Sequence, residues 1–382
     1  MMKRSIFAVL FLCVGLALVA QGHYYLELPY ENVNGKLMIK AKVEGVEGRF
    51  VFDTGAPLYI TAALAEKLQA EAKGTQGIID AAGHRLSVSS TTVSNLVLGE
   101  GEGSLTYQGA KANIIPQGNM IEAFGIDGII GTDIMPYSVV RFDSKRQMII
   151  ITDDAATFHI SPRCRMAMET NQQNCPFVQV NVGKGVIETP LFDSGSPALY
   201  ALGEQVAQQG IANGAVQLLG KGYGTSGFGL GGESVATERS RVQINDLRMG
   251  TGKFRRVVTQ TNPGASLIGT GLLKYGYVTL DFAHKAFYFE PFEQEPVDCY
   301  EKAWNLDITY HDGHILVSGA WDEMREQVEL GEEIVAVDGK PLPAVTLEEA
   351  LRGNLLKITK DEARIKLRKP DGSEHEVKIE RK

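Results

Sequence analysis

The chain has 382 residues, of which 42 are glycine, and a formal charge of -8. That length exceeds one ordinary domain and leaves room for two or three, each with a core of its own. An acidic chain without a basic run argues against nucleic-acid binding, and so much glycine suits tight turns and close backbone approaches more than long helices.

Met1 to Arg4 are basic, and residues 5–20 form an apolar run that ends in Ala20-Gln21-Gly22, with small residues where a signal peptidase would cut. We therefore expect a signal peptide at 1–22 and an exported protein, periplasmic or extracellular. The run is short for a membrane span, and no later stretch approaches spanning length, so no stable membrane span is expected after cleavage. Membrane association would need the signal to be retained, or lipidated at Cys13, whose preceding residues Leu10-Phe11-Leu12 make a poor lipoprotein signal. Cleavage removes Lys3 and Arg4 and takes the formal charge to -10.

The next element is a strand at 37–41, followed by Arg49-Phe50-Val51-Phe52-Asp53-Thr54-Gly55-Ala56-Pro57-Leu58-Tyr59. The same pattern returns as Thr189-Pro190-Leu191-Phe192-Asp193-Ser194-Gly195-Ser196-Pro197-Ala198-Leu199-Tyr200, 140 residues later. Ile129-Ile130-Gly131-Thr132 returns as Leu267-Ile268-Gly269-Thr270 at an offset of 138, and Val140-Arg141-Phe142-Asp143 as Val278-Thr279-Leu280-Asp281. Separate blocks that share order and almost one offset mark an internal duplication. Each copy reads as sheet, through runs such as 140–142 and 286–289, with one helix after each Asp block, at 62–69 and 202–209. The expected organisation is a first lobe at 23–152, a connector at 153–174 and a second lobe at 175–292.

Cys164 and Cys175 lie in or beside the polar connector, and in an exported protein they could be joined, closing a short loop. Cys299 has no obvious partner and reads as a small buried side chain.

An Asp-Thr/Ser-Gly directly after an apolar strand is unusual as a structural device, because a carboxylate there costs desolvation unless something pairs with it. One such site could be a turn. Two, in duplicated halves related by an approximate two-fold axis, would bring Asp53 and Asp193 together at that axis. Adjacent carboxyls share a proton and titrate as a pair. In that state one can take a proton from water while the other gives one to the carbonyl of an amide under attack, with no metal and no cofactor.

Over residues 25–290 these blocks resemble the pepsin and retropepsin superfamily of aspartic peptidases, particularly its bacterial members. The resemblance implies a mostly β, bilobal fold built from two duplicated β lobes. It implies Asp53 and Asp193 as the catalytic pair, with Thr54, Gly55, Ser194 and Gly195 supporting them and Thr54 and Ser194 bonded across the lobes. It also implies hairpin flaps over the cleft, at Ala81-Ala82-Gly83 and around Tyr223-Gly224. The activity so implied is that of an aspartic endopeptidase acting on polypeptide substrates; the alternative is a catalytically inactive protein that binds peptides. Other chemistries lack their motifs: Gly-x-Ser-x-Gly and His-Glu-x-x-His are absent, and Gly220-Lys221-Gly222 lacks the spacing of a phosphate loop. His311 and His314 read as surface residues and not metal ligands.

From about residue 300 charge becomes denser, with 31 charged residues in the last 82 against 53 in the first 300, which marks a further module at 300–382. We expect strands at 306–309, 315–317 and 334–337, short helices from Trp321 and at 347–351, and a hairpin of 363–367 with 376–379. Gly331-Glu332-Glu333-Ile334-Val335-Ala336-Val337-Asp338-Gly339 resembles the signature of PDZ domains. The resemblance implies a small α+β PDZ-like domain that adds a peptide ligand along Asn305, Leu306, Asp307 and Ile308, with the 347–351 helix as the opposite wall.

Overall fold

The computed structural model describes residues 23–382 apart from Phe124 and Asn354, so the expected signal peptide, with Cys13, lies outside the described residues. Two β-rich lobes are joined by a nine-stranded sheet. Its third and fourth strands, Val139–Asp143 and Gly276–Asp281, run antiparallel side by side. These strands are the two copies of one repeat block. Arg141 faces Thr279, its own counterpart at the offset of 138, so the pseudo-two-fold axis passes through that pair. Every residue of Val139–Asp143 is buried, as a strand covered on both faces requires. Arg141 is neutralised there by Glu290, and its Nη1 also donates to Thr279 Oγ1 at 3.0 Å.

Outward from this pair the sheet continues through Met148–Thr152 to Tyr25–Pro29 on one side, and through Ala286–Pro291 to Arg165–Thr170 on the other. Beneath it four rings from alternate ends of the duplication meet edge to face. Phe52 touches Phe142 at 5.8 Å, Phe142 touches Phe192 at 5.7 Å, and Phe192 touches Phe287 at 5.3 Å. All four are excluded from solvent. The ladder therefore belongs to both lobes, and its apolar burial holds them together.

Each lobe carries the strand-to-loop unit anticipated around its Asp. In the first, Val46–Phe52 lies parallel to Gly128–Ile130; in the second, Leu191–Phe192 lies parallel to Leu267–Ile268. The helices that follow differ in length. Ala62–Lys67 starts where Thr61 Oγ1 accepts from Leu64 N, whereas Glu204–Asn213 runs to Gly214, which leaves the helix at φ +75°.

The last module corrects the PDZ expectation. Its strands are Leu306–His311, His314–Trp321, Glu333–Val337, Glu362–Arg368 and Glu374–Glu380, with the two-residue strand Lys340–Pro341. Its α-helix, Leu347–Arg352, has six residues: a Thr346–Glu349 capping box starts it, and Gly353 at φ +77° stops it. The turn after Trp321 is 3-10 and not α. Among the described residues the region is essentially all-β and has no substantial helix, so an α+β PDZ-like domain is not what it forms. It instead shares a sheet with the second lobe. His314–Trp321 pairs with Val216–Gly224, setting Trp321, Ala320 and Gly319 opposite Gly222, Tyr223 and Gly224.

The expected Cys164–Cys175 disulfide does not form. Cys164 ends the turn Pro162–Cys164 with its Sγ 3.7 Å from the Thr251 hydroxyl, while Cys175 directs its thiol towards the Gln173 carbonyl; these and Cys299 are buried free thiols. Alkylation under denaturing, non-reducing conditions should therefore label all three, and an intact mass two alkyl groups short would contradict this. Truncating Phe142 to Ala, at the centre of the inter-lobe ladder, should cost about 3–5 kcal/mol in equilibrium denaturation.

Candidate active site

Asp53 and Asp193 each sit at the first position of a loop that leaves a buried strand. Asp53 N donates to Ile130 O at 3.0 Å, and Asp193 N donates to Ile268 O at 2.8 Å, so each loop hangs from the second block of its own lobe. Inside each loop the glycine amide turns back onto the carboxyl. Gly55 N donates to Asp53 Oδ1 and Gly195 N to Asp193 Oδ1, both at 2.8 Å.

The residues between these groups lock the loops to one another. Thr54 N donates to Ser194 Oγ and Ser194 N donates to Thr54 Oγ1, each at 3.0 Å. The hydroxyls continue across the interface, Thr54 Oγ1 to Phe192 O at 2.6 Å and Ser194 Oγ to Phe52 O at 2.8 Å. Both side chains are fully buried, so all four bonds form away from water, where an unpaired partner costs most.

The lock sets each glycine against the opposite carboxyl. A Cβ added to Gly55 would lie 2.9 Å from Asp193 Oδ1, and one added to Gly195 would lie 2.3 Å from Asp53 Oδ2. Only glycine lets the two loops approach so closely. Burial, followed by the Asp53 charge and a hydrogen bond between the two carboxyls, raises the Asp193 pKa well above its ordinary 3.8. The Gly195 amide and the Lys36 charge oppose that rise.

Four further residues shape the site. Lys36, on the strand Lys36–Val43, crosses to donate to Gly195 O. Asp133, three residues past Ile130, turns both carboxyl oxygens to Leu58 N at 3.1 Å, and burial raises its pKa to about 6. Tyr59 is pushed to about 12 by burial and then by the Asp53 charge. Tyr200, its counterpart, is buried and donates to Glu188. The repeat of Tyr59 at Tyr200 was a visible signal for the tyrosines; Lys36 and Asp133 act through partners distant in sequence.

The pair opens into a cleft of about 1530 Å³ lined by both lobes and continuing to Leu306, Ile308 and Tyr310 of the last module. Ala81, Ala82 and Gly83 form the tip of the hairpin between Gly74–Ile79 and Arg85–Leu98, and Ala81 lines the cleft. The second expected flap is displaced along the chain. Tyr223 and Gly224 lie within a strand paired on both edges, with Glu238 and Thr237 on one side and Ala320 and Gly319 on the other. The tip of that hairpin is 228–233, a small turn in which Phe228 faces Glu233 and Gly229 faces Gly232.

Asn305 and Asp307, expected to meet a peptide ligand, are taken up internally. Asn305 Oδ1 accepts from Glu380 N at 3.0 Å. The Asp307 carboxylate accepts from Arg239 Nη2 at 2.5 Å and from Trp321 Nε1 at 3.0 Å. Leu306 is buried in the module's own core, and Ile308 packs on that core. No cluster of His, Cys, Asp and Glu able to hold a metal ion occurs among the described residues, and no described helix is long and apolar enough to cross a membrane.

A family described as "Aspartyl protease" matches residues 39–134, the part of the first lobe that contains Asp53. No curated protein matches the chain. Among solved structures, a retropepsin-like aspartic protease from Rickettsia conorii aligns at 19% identity over 34% of this chain and 93% of its own, with a TM-score of 0.26. Basic 7S globulin from soybean aligns at 11% identity over 72% of this chain and 98% of its own, with a TM-score of 0.43. The family match supports a protease-like domain at the level of the aspartic-protease superfamily.

Because the folded-state pKa of Asp193 is raised, its contribution to stability is fully present below the ordinary value of 3.8 and is lost as pH rises through the folded value. Asp193→Asn removes that loss. Melting temperatures across pH 3–8 should show the variant gaining on the parent as pH rises above 4; parallel curves would contradict a shared, desolvated pair.

Proposed function

We propose that the protein is an aspartic endopeptidase that cleaves extended polypeptide segments, with Asp53 and Asp193 acting as one dyad on a single water molecule. The observation that carries this reading is the reciprocal Thr54–Ser194 lock, which fixes the two carboxyls side by side in the cleft. Sharing one proton is the least costly state of such a pair. The ionised member takes a proton from water as its oxygen attacks the amide carbon, and the protonated member gives its proton to the carbonyl oxygen. The resulting diol collapses as the protonated member gives its proton to the amide nitrogen and the other takes one from a diol hydroxyl, so that the C–N bond breaks, the carboxyl product forms and the dyad again holds one proton. Both groups belong to the pair, so neither role is assigned to one Asp alone.

The neighbouring groups fit this chemistry. Lys36 and the Gly195 amide favour the ionised form of Asp193, while burial and the Asp53 charge favour the protonated one. Repulsion between two ionised neighbours is what separates the steps in which such a pair loses its two protons. We also read the protein as exported, on the basis of the basic start and apolar run within residues 1–22.

Turnover of a diverse peptide library should fall by at least about 10³ in Asp53→Asn and in Asp193→Asn, a loss of roughly 4 kcal/mol of transition-state stabilisation. In the parent, turnover should decline as pH rises through the raised pKa of the pair. Full activity in either variant refutes a shared dyad. Peptide binding without turnover, unchanged by both substitutions, identifies a peptide-binding protein instead.

A further inference from the structure

The cleft is roofed by the chain itself. The 228–233 tip of the second lobe reaches over to the first lobe and places Leu230, half-buried, against the cluster of Tyr59, Ile115 and Ile129, which Ala56, Ile78 and Ile121 also join. Most of these residues line the cleft that contains Asp53, and Tyr59 lies near enough to feel the Asp53 charge. An apolar side chain from one lobe thus rests on the apolar wall that the other lobe turns towards the carboxyls.

Backbone bonds hold it there. The Leu230 carbonyl accepts from Asn119 Nδ2, and Gly231 N donates to Asp80 Oδ2 at 2.7 Å. Both first-lobe partners are fixed beforehand by their own loops. Asn119 Oδ1 accepts from Ile121 N at 2.8 Å, and Asp80 Oδ1 accepts from Ala82 N at 3.0 Å and His84 N at 2.7 Å. His84 Nδ1, at 3.3 Å, is the titratable group facing Asp80, whose side chain is wholly buried. The fit is close: a Cβ on Gly229 would lie 2.2 Å from Asp80 Oδ2.

An extended peptide crossing this wall would present the same three things, an apolar side chain, a carbonyl and an N–H. We propose that the 228–233 loop is an internal latch in which Leu230 stands in for a substrate residue, and that a polypeptide enters by displacing it and taking over Asn119 and Asp80. This rests on the endopeptidase reading for its substrate, though the displacement itself requires only binding. The incoming side chain that replaces Leu230 is aliphatic, because an acidic one would meet both an apolar wall and the Asp80 carboxylate.

The test uses full-length protein carrying Asp53→Asn, so that binding is read without turnover. A labelled extended peptide with a central Leu, and the same peptide with Asp at that position, are titrated by fluorescence anisotropy. Adding Leu230→Ser should tighten the Leu peptide roughly tenfold, from the burial of half a leucine side chain that no longer competes, and should leave the Asp peptide weak. Gly229→Ala, which forces the loop off Asp80, should act in the same direction, and melting curves of both variants check that they fold. Unchanged affinity for the Leu peptide in both variants overturns the latch, as does failure of every variant to bind it. With Asp53 intact, cleavage whose KM is insensitive to Leu230→Ser leaves the peptidase reading standing and the latch refuted. Tightened binding without cleavage leaves the latch standing and refutes the peptidase.

Discussion

The four hydrogen bonds between Thr54, Ser194 and the strands behind them are the constraint on which the rest of the structure depends. Each hydroxyl is at once acceptor for the opposite loop's amide and donor to the opposite strand's carbonyl, so neither loop is satisfied without the other lobe. Breaking one bond would leave a buried amide or carbonyl unpaired, at a cost of about 1–3 kcal/mol per group. The carboxyls are one residue away from this lock and inherit its rigidity. Their proximity, the rise in the Asp193 pKa and the shape of the cleft floor follow from it.

The wider fold supplies the symmetry that lets such a lock close. Arg141 lies opposite Thr279, its counterpart in the other lobe, and Phe142 of the first lobe meets Phe192 of the second, so the two lobes face each other across the axis. Burial of these strands on both faces leaves no room for one lobe to slide against the other, because a shift of one residue would turn Arg141 into the apolar ladder. The lobes therefore present the carboxyls as a preorganised pair.

Around this symmetric centre the halves have diverged. Lys36 crosses to the Asp193 loop, and the second lobe has Gly271 where the first has Asp133. The second hairpin is tied down along its middle by the last module. There Trp321 is buried beneath the guanidinium groups of Arg239 and Arg241, at 5.1 and 4.2 Å, and Asp307 bonds both Trp321 and Arg239. Its far tip alone reaches the first lobe. The first hairpin is paired along its base with Leu105–Ile115, and its tip meets the second through Asp80. One wall of the cleft is thus braced while its roof hangs on a few bonds, which is the arrangement a displaceable cover requires.

The duplicated blocks, the sheet-forming character of both halves and the pairing of Asp53 with Asp193 were legible in the sequence, because repetition and apolar periodicity record covalent order and which face of a strand is buried. Even the positions of most strands in the last module could be read that way. What periodicity does not record is which distant group completes a partnership. The helix at Leu347–Arg352 is brief because Gly353 stops it, and the thiols of Cys164 and Cys175 stay apart because each is turned towards a different neighbour. Tyr223 and Gly224 are part of a braced strand because Ala320 and Gly319 come from a hundred residues away to pair with them. Leu230 sits over the cleft for the same kind of reason. By itself the sequence determined that two aspartates would share one site; only the tertiary structure decided what surrounds and covers them, since those contacts are made by side chains and amides that no local pattern brings together.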